Sequence, residues 1–141
     1  MANRQLEHDL TPSGWPVRKG YISSRYGERN DPFTGETEIH TGLDFAGTRG
    51  TEVLSVASGV VIWASNRGGY GKTVEIDHGN GYRTRYAHSD KLLVKAGDHV
   101  NTGQVIALMG STGRASAPHV HFEVLKDGQR INPSSFVTQL R

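Results

Sequence analysis

The chain contains no cysteine, which excludes a disulfide framework and any thiolate metal site. Imidazole and carboxylate are left as the groups able to hold a metal, and the absence fits an oxidising or a reducing compartment equally. Charge of one sign is scarce too. The formal net charge is +2, with no Lys/Arg block, so nothing in it argues for nucleic acid. A mildly basic surface suits an anionic polymer, among many other partners. No apolar run approaches the roughly 20 residues of a membrane-spanning helix. Met1 to Leu10 is polar and lacks the apolar centre of a signal peptide, so the chain is either cytoplasmic or part of a longer exported protein. Sustained helical periodicity, internal repeats and low-complexity tracts are also missing.

What remains is a chain of 141 residues, the size of one compact domain able to bury a core without staples. Its 18 glycines exceed the usual share of about 7% and point to many tight turns. Residues 1–14 are polar and punctuated by Pro and Gly, and read as a tail or linker remnant. Residues 15–141 read as the domain. Tyr21 to Gly27 suggests a short strand and turn, and Asn30 to Gly35 a loop. Thr51 to Ala64 is rich in Val and Ile and broken at Ser58-Gly59. Lys72 to Asp77 alternates as a half-buried strand. His78-Gly79-Asn80-Gly81 carries an Asn-Gly hairpin signal, Tyr82 to His88 is the returning strand, and Ser89 to Leu92 reads as a helical turn. Gln104 to Met109 is a buried strand after a turn at Val100 to Gly103. His119 to Leu125 alternates again before a turn at Lys126-Asp127-Gly128. The expected fold class is all-β, a mainly antiparallel sheet core with short helical turns.

Seven histidines are a surplus, and several fall in suggestive places. In His119-Val120-His121 the alternation points both imidazoles to one sheet face, about 6–7 Å apart at their Cα atoms, while Val120 and Phe122 take the other. The plain alternative is a pair of exposed polar residues on a strand. His40 and Asp44 would lie about 13 Å apart in an extended strand, too far to share one ion. The chain must bend between them, and Gly42 permits a bend; an ordinary turn with a capping Asp is the plain alternative. His88 alone would be a surface or satisfied imidazole. Taken jointly, two imidazole nitrogens and one carboxylate make a three-ligand zinc set with an open fourth position, as in catalytic rather than structural sites. Two further histidines are left for acid–base and electrostatic work.

These residues resemble the LytM/lysostaphin-type zinc metallopeptidases, peptidase family M23. The matching signatures are His40-x-x-x-Asp44, Tyr86-Ala87-His88 and His119-x-His121, supported by Ser24-Arg25-Tyr26-Gly27, Gly69-Tyr70-Gly71, Ile76-Asp77-His78-Gly79 and Gly110-Ser111-Thr112-Gly113-Arg114. The resemblance spans roughly residues 15–137. It implies the family's duplicated hybrid β-fold, with Zn2+ held by His40, Asp44 and His121, and His88 and His119 as the two non-ligand active-site histidines. No motif position is lost. His8, in the tail, matches no motif; His99 reads as a surface residue and His78 as a turn residue. Glu123 shares a face with His119 and His121, and either orients an imidazole or is simply exposed to solvent.

By the same resemblance the expected reaction is zinc-assisted amide hydrolysis of peptidoglycan peptides, with a D,D-endopeptidase acting on stem-peptide cross-links favoured. His119, two residues from a ligand, is preferred as the base. Expected partners are a peptidoglycan peptide and an upstream regulatory or anchoring domain, with no nucleic acid and no membrane contact by the domain itself. The expected state is a monomer in the cell envelope, periplasmic, with an export or anchor segment lying outside this chain. Two rivals stand beside this reading. Val53 to Val61 and Ala96 to Ala107 resemble lipoyl and biotinyl carrier modules, but the modifiable-lysine phrase is absent and the histidines would go unexplained. The other is a non-cleaving peptidoglycan-binding or amidase-activating module, whose site could be blocked by residues before Trp15, by an upstream domain or by Asn30.

Overall fold

The computed structural model describes residues 14–30 and 37–136. Within them lie twelve strands and two 3-10 turns. The strands are β1 (Tyr21–Ser24), β2 (Gly27–Asn30), β3 (Thr37–His40), β4 (Leu43–Ala46), β5 (Glu52–Leu54), β6 (Gly59–Asn66), β7 (Lys72–Gly79), β8 (Tyr82–Leu92), β9 (His99–Val100), β10 (Val105–Met109), β11 (His119–Lys126) and β12 (Gln129–Ile131). A ten-stranded sheet runs β1-β4-β11-β8-β7-β6-β9, with β10 joining β8 to β5 and β12 paired to β11. β2 and β3 form a separate ribbon that leads into His40. The strand pairings are antiparallel, which is the expected fold class. No helix among the described residues is long and apolar enough to cross a membrane.

Local chemistry accounts for the hairpins. Asn80 and Gly81 take φ of 52° and 81°, the two left-handed positions of a type I′ turn whose twist matches its flanking strands. Asp127 and Gly128, at 52° and 83°, repeat the device between β11 and β12. Alternation sets the core: Leu43 and Phe45 of β4, Val120, Phe122 and Val124 of β11, Tyr86 of β8, and Val74 and Ile76 of β7 are buried on one side of the sheet. Phe122 meets Phe45 edge-on and stacks obliquely on Tyr86, at centroid separations of 6.2 and 5.4 Å. Trp15 packs on Phe45 at 5.1 Å.

Three expectations need correction. Ser89–Leu92 is not a helical turn: β8 continues through a bulge and pairs with β10, Ser89 opposite Met109 and Leu92 opposite Ala107. β7 is not half-buried, because Thr73 and Glu75, on the face expected to meet solvent, are buried along with Val74 and Ile76. His78 is no turn residue; it sits in β7 with 2% of its surface exposed. His99 is exposed, as expected. Residues 1–13, all of the expected tail except Gly14 and including His8, and residues 31–36, which hold most of the loop expected at Asn30 to Gly35, lie outside the described residues, while Asn30 closes β2 opposite Thr37.

His78 belongs to a buried polar chain. Its Nδ1 lies 2.8 Å from the Ser58 carbonyl and its Nε2 2.7 Å from Thr84 Oγ1. Thr84 Oγ1 lies 2.8 Å from the Tyr86 hydroxyl, which accepts from the Val56 N–H at 3.1 Å. A carbonyl only accepts, so Nδ1 carries the proton and Nε2 of the neutral ring accepts from Thr84. Thr84 then accepts from Tyr86, and every group in the chain is satisfied in one direction. A second proton on His78 would reverse that order, with Nε2 donating to Thr84 and Thr84 to Tyr86. Burial lowers the His78 pKa from 6.5, against the opposing pull of the Ser58 carbonyl and Asp77. Since the unfolded chain takes up that proton more readily, stability falls as pH drops below about 6.5. Urea unfolding of metal-free protein between pH 7 and 5 should show this loss, and His78→Gln should flatten it. An unchanged pH slope in the variant would contradict the role given to His78.

Candidate metal centre

The site is built where β4 and β11 meet. Their register sets His121 directly opposite Asp44, with Val120 opposite Phe45 and Phe122 opposite Leu43. Core residues therefore alternate with site residues on both strands, and the same period that buries Phe45 and Phe122 turns Asp44 and His121 to the other face. His121 Nδ1 lies 2.8 Å from Asp44 Oδ1, and His40 Nε2 lies 3.3 Å from Asp44 Oδ2. The chain does bend between His40 and Asp44, but the need for glycine at position 42 is steric. A Cβ there would stand 2.3 Å from the Phe122 carbonyl oxygen and 3.0 Å from Glu123 Cγ.

Each imidazole is aimed by a fixed partner. His40 Nδ1 donates to the Arg25 carbonyl at 2.8 Å, so its Nε2 faces the site. His88 Nδ1 donates to the Thr112 carbonyl at 2.7 Å, and His119 Nδ1 to the Ala117 carbonyl at 2.9 Å. Their Nε2 atoms are free to face the cleft. His88 holds φ of 64°, a left-handed conformation costly for a side chain and typical of functional positions. The His88 and His119 rings stand 4.7 Å apart, and His88 is 6.3 Å from the His121 ring. The five residues singled out in the sequence thus line one cleft, with Thr41, Gly69, Tyr70 and Arg114.

Behind His121 stands a carboxylate. Glu123 is 0% exposed, which overturns the solvent-exposed alternative. Its Oε2 lies 2.9 Å from His121 Nε2 and accepts from Thr41 at 2.7 Å and Tyr70 at 3.0 Å. Its Oε1 accepts from Arg85 at 2.9 Å. Arg85 also donates to Glu75 at 2.6 Å, and Glu75 is further bound by Arg67. This buried lattice explains why Glu75 and Glu123 tolerate burial: each charge is paired and hydrogen-bonded. Composition and spacing offered no sign of the Tyr70, Thr41 and Arg85 contacts; Gly69-Tyr70-Gly71 stood out only as a phrase.

Charge follows geometry. Burial alone would raise Asp44, but hydrogen bonds with His121 and His40 reverse this and hold it well below the usual carboxylate range. Burial would likewise lift Glu123, yet His121 and Thr41 bring it down to about 2. Burial opposes charge on His121, and the bonds to Asp44 and Glu123 prevail, raising it to about 9. His88 goes the other way. Its burial, reinforced by neighbouring His119 and His121 against the Thr112 carbonyl, depresses its pKa and keeps it neutral at pH 7.

The donor set fits a small divalent cation. The ligand atoms of His40, Asp44 and His121 all lie within 4.8 Å of one another. Bonds of about 2.0–2.2 Å in a tetrahedron put ligands about 3.3 Å apart, and the His40–Asp44 separation is 3.3 Å. Two nitrogens and a carboxylate oxygen suit zinc and leave room for a fourth ligand. Because Gly42 lets β4 close on β11, Gly42→Ala should force the strands apart. It should cost about 1–3 kcal/mol by overpacking and weaken zinc binding. Urea unfolding and chelator competition check both, and wild-type values in the variant would contradict the steric account.

The profile of Peptidase family M23 matches residues 38–133. The DD-carboxypeptidase/endopeptidase Mpg of Neisseria meningitidis is 43% identical over 114 residues, covering 81% of this chain and 26% of Mpg. The peptidoglycan DD-endopeptidase ShyA of Vibrio cholerae is 44% identical over 120 residues, covering 84% of this chain and 28% of ShyA. The chain thus spans little more than a quarter of either relative. A zinc-containing peptidase from Vibrio cholerae superposes with a TM-score of 0.76 at 40% identity, over 88% of this chain and 38% of that one. With a matching profile across most of its length and relatives above two-fifths identity, the chain belongs to peptidase family M23.

Proposed function

We propose that this domain is a zinc metalloendopeptidase that hydrolyses D,D-peptide cross-links of peptidoglycan. The ligands would be Nε2 of His40, a carboxylate oxygen of Asp44 and Nδ1 of His121. His88 and His119 would handle protons. The observation that carries this reading is the convergence of three ligand atoms from β3, β4 and β11 beside two further imidazoles whose Nε2 atoms face the same cleft. The activities for which Mpg and ShyA are named support the D,D bond as the target.

Zinc bound there supplies a Lewis acid for the scissile carbonyl and a water that ionises near neutral pH. The protein does the rest. Glu123 accepts the Nε2 proton of His121, which fixes the tautomer and leaves Nδ1 free to ligate. The Arg25 carbonyl does the same for His40 with the ring reversed. His88 and His119 each carry their proton on Nδ1, against a carbonyl, so each presents a lone pair at Nε2. Either can therefore accept a proton from attacking water and pass it to the leaving nitrogen. We assign the acceptance to His119, the nearer of these two to Asp44 at 3.9 Å. Once protonated, a ring becomes the donor that a developing oxyanion or amine requires. All five groups come from one chain, so a monomer suffices. A peptidoglycan substrate would put the domain in the cell envelope, and the likeness to relatives from Neisseria and Vibrio favours the periplasm.

Digestion of purified cross-linked peptidoglycan should release products mapped by mass to D,D bonds, and a chelator should stop it. His121→Ala should lose both stoichiometric zinc and activity. His88→Ala should keep zinc and lose turnover by about 10²–10⁴-fold. Full activity of His88→Ala would remove that residue from the reaction, and chelator-resistant cleavage would remove the metal.

A further inference from the structure

The cleft holds one charged group that the chemistry above does not use. Arg114 lines it together with the five site residues. Arg85 and Arg67 on the same side of the sheet are neutralised by Glu75 and Glu123, and Arg130 approaches Glu123 at 4.0 Å. Arg114 has no carboxylate partner among the described residues. Arg114 is exposed, but its backbone and stem are held. Its backbone N–H donates to the Gly69 carbonyl at 2.9 Å. Its aliphatic stem lies along Gly69, where a Cβ would meet Arg114 Cδ at 3.5 Å. Gly113, at φ of 72°, presses onto the same turn, and a Cβ there would stand 2.4 Å from Gly71 N. Thr112 locks the loop further, its Oγ1 donating to the Ser89 carbonyl at 2.7 Å and accepting from Lys72 N at 3.1 Å. The carbonyl that orients His88 is also Thr112's. One turn therefore sets the His88 imidazole and a cation with no acidic partner among the described residues in a single cleft.

We propose that Arg114 is a specificity residue that binds the carboxylate of the amino-acid centre on the leaving side of the scissile bond. This rests on the D,D-peptidase reading. In a D,D bond the amine belongs to a D-centre that bears its own carboxyl group on the same carbon, so a carboxylate lies two bonds from the scissile nitrogen unless that group is amidated. A guanidinium presents a planar fork that pairs with a carboxylate through two parallel N–H···O bonds. The turn anchors the backbone and stem of Arg114 at the edge of the cleft, and no acid among the described residues pairs with its fork. A neutral bridge peptide, without a carboxylate at that carbon, gains nothing from it. Arg114 thus makes the domain read the free carboxylate rather than the peptide bond alone.

The test uses zinc-loaded domain and two cross-linked muropeptide dimers, alike except that the carboxylate beside the scissile nitrogen is free in one and a primary amide in the other. Wild type should prefer the free acid by about 10–100-fold in kcat/KM, mostly through KM, in line with a charge-assisted pair. In Arg114→Ala the ratio should fall to near one, and Arg114→Lys should restore part of it. Zinc content and melting temperature establish that each variant folds, and Arg114→Gln, which keeps most of the stem, decides the question if Arg114→Ala does not fold. Equal rates on both dimers in wild type, or an undiminished ratio in the neutral variants, would overturn the role of Arg114 and leave the peptidase reading intact. Cleavage of neither dimer by wild type would overturn the peptidase reading, and this inference with it.

Discussion

The structure depends on one cross-strand pairing, His121 of β11 against Asp44 of β4. The register that makes it is enforced from the opposite side of the sheet, where Val120, Phe122, Leu43 and Phe45 are fully buried. A slip of one residue would bury the imidazole and the carboxylate and expose two aromatic rings. Hydrophobic burial on one face thereby positions ligands on the other. The same strands hold the close approach at Gly42, which lets the chain turn back so that His40 reaches Asp44.

The second constraint is electrostatic. Asp44, His121 and Glu123 form a relay in which each proton position is set by the next group. Such a set would be unfavourable in the interior without the Arg85–Glu75–Arg67 lattice behind it, which balances Glu123 and ties β7, β8 and β11 together. The site and its support lie on rigid strands rather than on loops. The exceptions are the turns at 67–71 and 110–114, clamped to each other through Gly69, Gly71, Thr112 and Gly113. These turns carry Tyr70 and Arg114, the groups best placed to meet a substrate.

Much of this was legible in the residues. Period-two alternation located β7 and β11, the Asn80-Gly81 hairpin signal gave β8 as the returning strand, and the His/Asp motifs, with the resemblance to family M23, singled out the residues that meet in the cleft. The failures share a cause: the partners arrive from distant parts of the chain. Alternation in β7 suggested that Glu75 and Thr73 met solvent, because nothing local reveals that Arg67 and Arg85 arrive to cover them. His78 resembled a turn residue because its partners, Ser58 just before β6 and Thr84 in β8, lie elsewhere along the chain. Ser89–Leu92 continues β8 because β10 offers it a hydrogen-bonding edge, a long-range event with no local signal. The carbonyls of Arg25, Thr112 and Ala117, which fix three imidazoles, could not be read at all, since every residue has one.

The central claim is that two imidazoles and one carboxylate hold a zinc ion and leave one corner to solvent. X-ray absorption at the zinc edge on the stoichiometrically loaded domain measures this directly. The account predicts two nitrogen ligands and a carboxylate oxygen at about 2.0–2.2 Å, with an oxygen of exchangeable water completing a four-coordinate shell. A shell closed by four protein ligands, or zinc bound with fewer than two imidazoles, would contradict it.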